Sequence, residues 1–218
     1  DYSTSSEGML AVLRRWADQG WLRELDCAFA AFLLERSPQA HPLLILAAAL
    51  ASHQLGRGHV CLDLSATLAN SRYALSLPPD HDSGEVDAPL PADVLAGVTL
   101  TAWQHALDGS PLVSTGAGSE PLVHVQARLY LRRYWQFEAS VRAAIESRVA
   151  RGAAMREAMD TTALARALDR LFEPAVVHGE GCNWQKLACA VAAGNAFSIV
   201  TGGPGTGKTT TVVRLLAV

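Results

Sequence analysis

A chain of 218 residues, half of them hydrophobic and with net charge -3, is ordinary globular material, large enough for one domain and part of a second. No segment combines the length and uniform apolarity of a membrane span, and Asp1-Tyr2-Ser3-Thr4-Ser5-Ser6-Glu7 lacks the basic start and apolar core of a secretion signal. The expectation is a cytoplasmic protein with no membrane contact, whose scattered Cys27, Cys61, Cys182 and Cys189 are reduced thiols and whose seven dispersed histidines hold no metal.

Helical signals dominate the first part. Met9, Leu10, Leu13 and Trp16 share one helical face, with Ser6 as N-cap and Gly20 beyond the end. A second helix is expected from Asp26 as N-cap through Phe29, Phe32 and Leu33 to Arg36, before Ser37-Pro38. The third opens with Pro42 in its first turn and ends before Gly56; being apolar all round, it is expected at the buried centre. Gly58-His59-Val60-Cys61-Leu62 reads as a short extended segment leading into a helical turn. Residues 76–91, rich in Pro, Asp and Gly, read as a loop, and a helix is expected over 92–107. Pro121-Leu122-Val123-His124-Val125 and Arg128-Leu129-Tyr130-Leu131, split by Gln126-Ala127, predict a hairpin, followed by a long helix from about Trp135. The Gly and Ser of 110–119 suggest a division into a helical portion, 1–112, and a second portion, 113–218.

Charge divides along the chain. Residues 1–127 hold 14 acidic and 6 basic residues, which argues against the first half as the main nucleic-acid surface and favours a protein contact. Residues 128–170 hold 9 arginines and 5 acids. Arg142, Arg148, Arg156 and Arg166 fit a solvated helix face, with contact to a phosphate backbone as the sharper alternative.

The segment Gly202-Gly203-Pro204-Gly205-Thr206-Gly207-Lys208-Thr209 matches G-x-x-x-x-G-K-[ST], a loop whose backbone amides cradle phosphates. Lys208 would reach the β/γ-phosphates and Thr209 would hold Mg²⁺, while the following helix N-terminus adds partial positive charge. The apolar run 196–201 is expected as the strand before the loop, and Thr210-Thr211-Val212-Val213-Arg214-Leu215-Leu216 as the helix after it. Only Lys186 and Lys208 of the 18 basic residues are lysine, so a compact ammonium stands where a planar guanidinium fits poorly. The acidic Mg²⁺ ligand and further parallel strands of a P-loop ATPase normally follow this loop. The chain is therefore expected to be an N-terminal portion of a larger ATPase, inactive by itself.

Asn183 is expected to cap a helix that buries Trp184, Leu187, Ala188 and Val191 and closes at Gly194-Asn195. Gln185 then lies in its first turn, where a side-chain amide has the paired donor and acceptor for adenine. A solvated glutamine is the plainer alternative. Candidate nucleotide-binding residues are thus Gln185, Gly202, Gly203, Pro204, Gly205, Thr206, Gly207, Lys208, Thr209 and Thr210, with Lys208 and Thr209 as the catalytic pair.

Four of these stretches, Gly58-His59-Val60-Cys61-Leu62, Arg128-Leu129-Tyr130-Leu131-Arg132-Arg133-Tyr134-Trp135, Asn183-Trp184-Gln185-Lys186 and the 202–211 segment, together resemble the RecD family. RecD is the alpha subunit of exodeoxyribonuclease V, the bacterial RecBCD complex, and a superfamily 1 helicase. The resemblance implies a mainly α N-terminal domain that contacts a scaffold subunit, followed by the start of an α/β RecA-like P-loop NTPase domain. It implies ATP and Mg²⁺ as cofactors, RecC-like and RecB-like subunits and single-stranded DNA as partners, and 5′-to-3′ unwinding in double-strand-break repair. It also places Gln185 where those helicases contact adenine. The small Gly-x-Gly hairpins of the family's stand-alone long form do not occur before Gly202, which favours the complex-bound form. Two alternatives are that long form and an assembly module with an incomplete nucleotide pocket.

Overall fold

A computed structural model describes residues 5–79, 88–172 and 182–218. They form two compact units, 1–138 and 139–218. The first unit is mainly helical: α1 (Ser6–Asp18), α2 (Glu24–Arg36) and α3 (Pro42–Gly56), then a short strand β1 (Leu62–Asp63), α4 (Leu64–Ala69), α5 (Ser71–Leu75), α6 (Pro91–Val94) and α7 (Leu100–Leu107). Strands β2 (Val113–Ser114), β3 (Leu122–Val125) and β4 (Arg128–Leu131) complete it. The unit boundary falls inside α8 (Arg132–Ala158), and α9 (Thr161–Leu171), α10 (Trp184–Ala193) and α11 (Lys208–Leu216) follow. The architecture is a mainly α N-terminal unit carrying a small open mixed sheet, followed by the start of a RecA-like fold.

Helix α3 is the centre of the first unit, as its uniform apolarity requires. Leu44 through Ala51 are fully buried, and four alanines among them let α1, α2 and α7 approach closely. Two fully buried tryptophans lie in this core with their polar atoms satisfied: Trp16 Nε1 donates to the Pro89 carbonyl at 2.7 Å, and Trp103 Nε1 to that of Leu43 at 3.0 Å.

Local chemistry moves several boundaries from their sequence-based positions. Ser5, not Ser6, caps α1, its hydroxyl accepting from the Gly8 amide at 3.0 Å. Helix α2 starts earlier than expected, at Glu24, because Asp26 is its third residue. The Asp26 carboxylate is fully buried and accepts from the Arg23 backbone amide at 3.0 Å, Arg23 Nη2 at 2.6 Å and Ser52 Oγ at 2.7 Å. It therefore satisfies the N-cap amide of Arg23 from inside the first turn and ties α2 to α3. The helix expected over 92–107 is two helices: Gly97 takes φ +75° between them, and Thr99 caps the second by accepting from the Ala102 amide at 3.2 Å. The loop expected over 76–91 lies in large part outside the described residues.

The hairpin forms as expected, with Val123 opposite Tyr130 and His124 opposite Leu129, and Gln126 turns it at φ +56°. Sheet order is β1-β4-β3-β2; β1 pairs antiparallel with β4, and β2 runs parallel to β3. Arg132 anchors the 110–119 stretch, donating from Nε to the Glu120 carbonyl at 2.9 Å and from Nη1 to that of Gly116 at 2.6 Å. That stretch and the hairpin accordingly sit within the first compact unit, which extends past the expected division at 112/113.

In the second unit, Asn183 caps α10 as expected, accepting from the Lys186 amide at 3.0 Å. The buried face is a different one. Cys189 and Ala192 are buried, whereas Trp184, Leu187 and Val191 are exposed, because α9 and α11 pack on the Cys189 side. Residues 196–201 form no strand: a parallel strand needs ladder partners, and none pairs with them among the described residues.

Candidate nucleotide site

The loop of residues 202–207 leads directly into α11, whose first two residues are Lys208 and Thr209. Gly205 and Gly207 both take φ +76°, a left-handed conformation that a β-carbon disfavours, so the turn itself favours glycine at these two positions. Gly207 is the N-cap and has no side chain, which leaves the first amides of α11 without a side-chain acceptor at the loop. Thr211, one turn in, is buried and returns its hydroxyl to the Gly207 carbonyl at 3.0 Å. Cys189 Sγ donates to the Thr211 carbonyl at 3.3 Å, fixing α10 against α11 behind the loop.

Lys208 Nζ donates to the carbonyls of Gly202 and Gly203 at 2.6 Å each, so the loop curls around its own ammonium. Thr206 Oγ1 donates to the Gly203 carbonyl at 2.9 Å and closes the curl. Residues 202–206 and Thr209 and Thr210 are exposed, with Lys208 half-buried. Gln185, from the first turn of α10, reaches the loop: its Nε2 donates to the Thr206 carbonyl at 3.2 Å. The structure thus brings the candidate residues of α10, the loop and α11 together in one unit.

The residue set suits a triphosphate. Left-handed glycines, free amides at a helix N-terminus and an ammonium held at the loop are the groups that grip phosphate oxygens, and the Thr209 hydroxyl is a hard oxygen donor of the kind Mg²⁺ takes. Among the described residues no group of three or more His, Cys, Asp or Glu side chains forms a metal cluster, and all four cysteines are free thiols. No helix among those residues is long and apolar enough to cross a membrane.

Sequence reasoning did not single out Arg214 or Phe172 for this site. Arg214 Nη1 donates to Gln185 Oε1 at 3.4 Å, and its guanidinium stacks 4.5 Å from the centre of the Phe172 ring. The only signal was position: Arg214 lies on the same α11 face as Thr211, toward α10.

The fold defines a chain with a mainly α N-terminal unit followed by the start of a RecA-like fold, and the family model for the N-terminal domain of RecBCD enzyme subunit RecD matches residues 18–130. The chain belongs to the RecD family. It is 29% identical over 218 residues to the RecBCD enzyme subunit RecD of Haemophilus influenzae, covering 96% of this chain and 33% of that protein. It is 32% identical over 223 residues to the protein of the same description from Mycobacterium tuberculosis, covering 100% of this chain and 31% of the relative. The counterpart from Mycolicibacterium smegmatis is 35% identical over 176 residues, 79% of this chain and 24% of its own length. The chain spans about a third of the length of the first two relatives.

Proposed function

We propose that the whole protein is an ATP-dependent 5′-to-3′ DNA helicase subunit of a RecBCD-type helicase and nuclease acting in double-strand-break repair and recombination. The observation that supports this most is the 202–207 loop, with Gly205 and Gly207 left-handed and Lys208 and Thr209 opening α11, in a chain of the RecD family. In this reading the backbone N–H groups of Gly203 and of residues 205–209 bind phosphate oxygens, Lys208 neutralises charge that grows on the β/γ-phosphates, and Thr209 holds Mg²⁺. Bound ATP would supply the free energy of its hydrolysis to ADP and phosphate; the chain's own residues would position it. Gln185 reads the adenine.

The first unit is proposed as the contact to a RecC-like scaffold subunit, with a RecB-like subunit completing the assembly and single-stranded DNA running through the full motor. Its acidic charge supports a protein partner over DNA. The test is unwinding by the whole protein of duplexes with a single-stranded tail at one end only. ATP-dependent opening of the 5′-tailed duplex and not the 3′-tailed one is expected; the opposite preference, or no unwinding in the assembled complex, contradicts the proposal.

A further inference from the structure

Gln185 is held at both ends of its amide. Nε2 donates to the Thr206 carbonyl at 3.2 Å, and Oε1 accepts from Arg214 Nη1 at 3.4 Å. The two ends of a primary amide are alike in shape, and only the partners decide which end carries the oxygen. A carbonyl only accepts and a guanidinium only donates, so these two partners impose one orientation, NH₂ toward the loop and oxygen toward α11. Arg214 is itself seated by Phe172, which is 2% exposed and packs with Leu168 and Cys189 in the apolar cluster of this unit. The core beneath the site therefore sets where the guanidinium stands. One N–H and one lone pair of Gln185 remain for a ligand.

Orientation decides which base such an amide accepts. Adenine offers a donor, its N6 amino group, beside an acceptor, N7; guanine offers two acceptors, O6 and N7. An amide with its oxygen pinned can accept from the adenine amino group and donate to N7. Against guanine the same oxygen meets O6, and two acceptors face each other unpaired. An amide free to rotate escapes this by turning its NH₂ toward both acceptors. We infer that Arg214, seated on Phe172, is a positioning residue that fixes the Gln185 amide for adenine and against guanine. The inference rests on Gln185 reading the base.

The test is ATP and GTP turnover by the whole protein carrying Arg214→Met, Arg214→Lys, Phe172→Leu or Gln185→Ala. Arg214→Met keeps an unbranched chain but no donor, and should narrow the ratio of KM values, GTP over ATP, roughly five- to tenfold, within the span of a bidentate base contact. The kcat ratio for the two nucleotides should not follow it. Arg214→Lys restores a donor and should recover most of the preference, which a role in packing alone does not predict. Phe172→Leu keeps an apolar side chain without the ring and should narrow the KM ratio by about twofold or more, a second route if Arg214→Met folds poorly. A preference lost in Gln185→Ala but intact in Arg214→Met overturns the inference alone, as does a loss that lysine fails to restore. An unchanged preference in Gln185→Ala overturns base reading by Gln185 together with it.

Discussion

A β-carbon on Gly207 would fall within 3.0 Å of the Gln185 amide nitrogen, so any other residue there must displace the Gln185 side chain from the loop. Gly207 also holds φ +76°. Gly205 shares that φ, yet a β-carbon there meets nothing within 4 Å. The pair separates strain from contact.

Gly205→Ala should cost roughly 1–2 kcal/mol, the penalty of a left-handed alanine. Gly207→Ala should cost that and in addition push Gln185 off the Thr206 carbonyl. Thermal unfolding and ATP affinity of the whole protein check this: both variants lose stability, and Gly207→Ala loses more ATP affinity than Gly205→Ala. Equal affinity losses would place the effect in backbone strain alone.

The buried Asp26 makes the first unit sensitive to acid. Burial pushes its carboxyl up, but the hydrogen bonds from Arg23 and Ser52 and the Arg23 charge outweigh it, leaving Asp26 below the usual carboxylate range. His53, 4.0 Å from that carboxylate, is pushed down by burial, which outweighs the Leu75 carbonyl and Asp26. Both groups have folded values below their unfolded ones. Both therefore contribute stability present above the unfolded value and lost as pH falls through the folded one. For His53 that loss starts near its ordinary 6.5, and for Asp26 near 3.8. Melting temperature should fall as pH drops below about 6.5, and His53→Gln should flatten that limb. Asp26→Ala leaves the buried Ser52 hydroxyl without its acceptor while the half-exposed Arg23 stays solvated, and should cost about 1–3 kcal/mol at neutral pH. A melting temperature that rises toward acid contradicts the sign of both shifts.

The proposed subunit contact has its own test. Residues 1–138 form a compact unit with a continuous core around α3, so this segment should co-elute with a purified RecC-like scaffold subunit in size-exclusion chromatography. If it stays monomeric while residues 139 onward bind, the assignment of the contact to the first half is wrong.

What was legible in the chain followed from local chemistry. Helix α3 announced itself by apolarity on every side, the hairpin by two β-rich runs around Gln126-Ala127, and α10 by the Asn183 cap. The glycine-rich loop before α11 was readable because Gly205 and Gly207 answer to backbone geometry rather than to distant contacts. What depended on partners far along the chain was not. Asp26 looked like an N-cap because a helix start and a buried ion pair use the same residue type; only its pairing with Ser52, 26 positions away, separates them. The wide apolar face of α10 suggested burial of Trp184, Leu187 and Val191, but Cys189 faces the packing with α9 and α11 instead. Arg214 carried no motif, since its role depends on meeting Gln185 across 29 residues.

The most direct test of the central claim is ATP hydrolysis and unwinding by the whole assembled protein carrying Lys208→Gln. Lys208 already holds the loop by two carbonyls at 2.6 Å, and in the proposed reaction its charge stabilises the phosphates as negative charge develops. The substitution keeps a polar side chain and removes that charge. ATPase and unwinding should both be lost while co-elution with the partner subunits persists; unwinding at the wild-type rate would contradict the account.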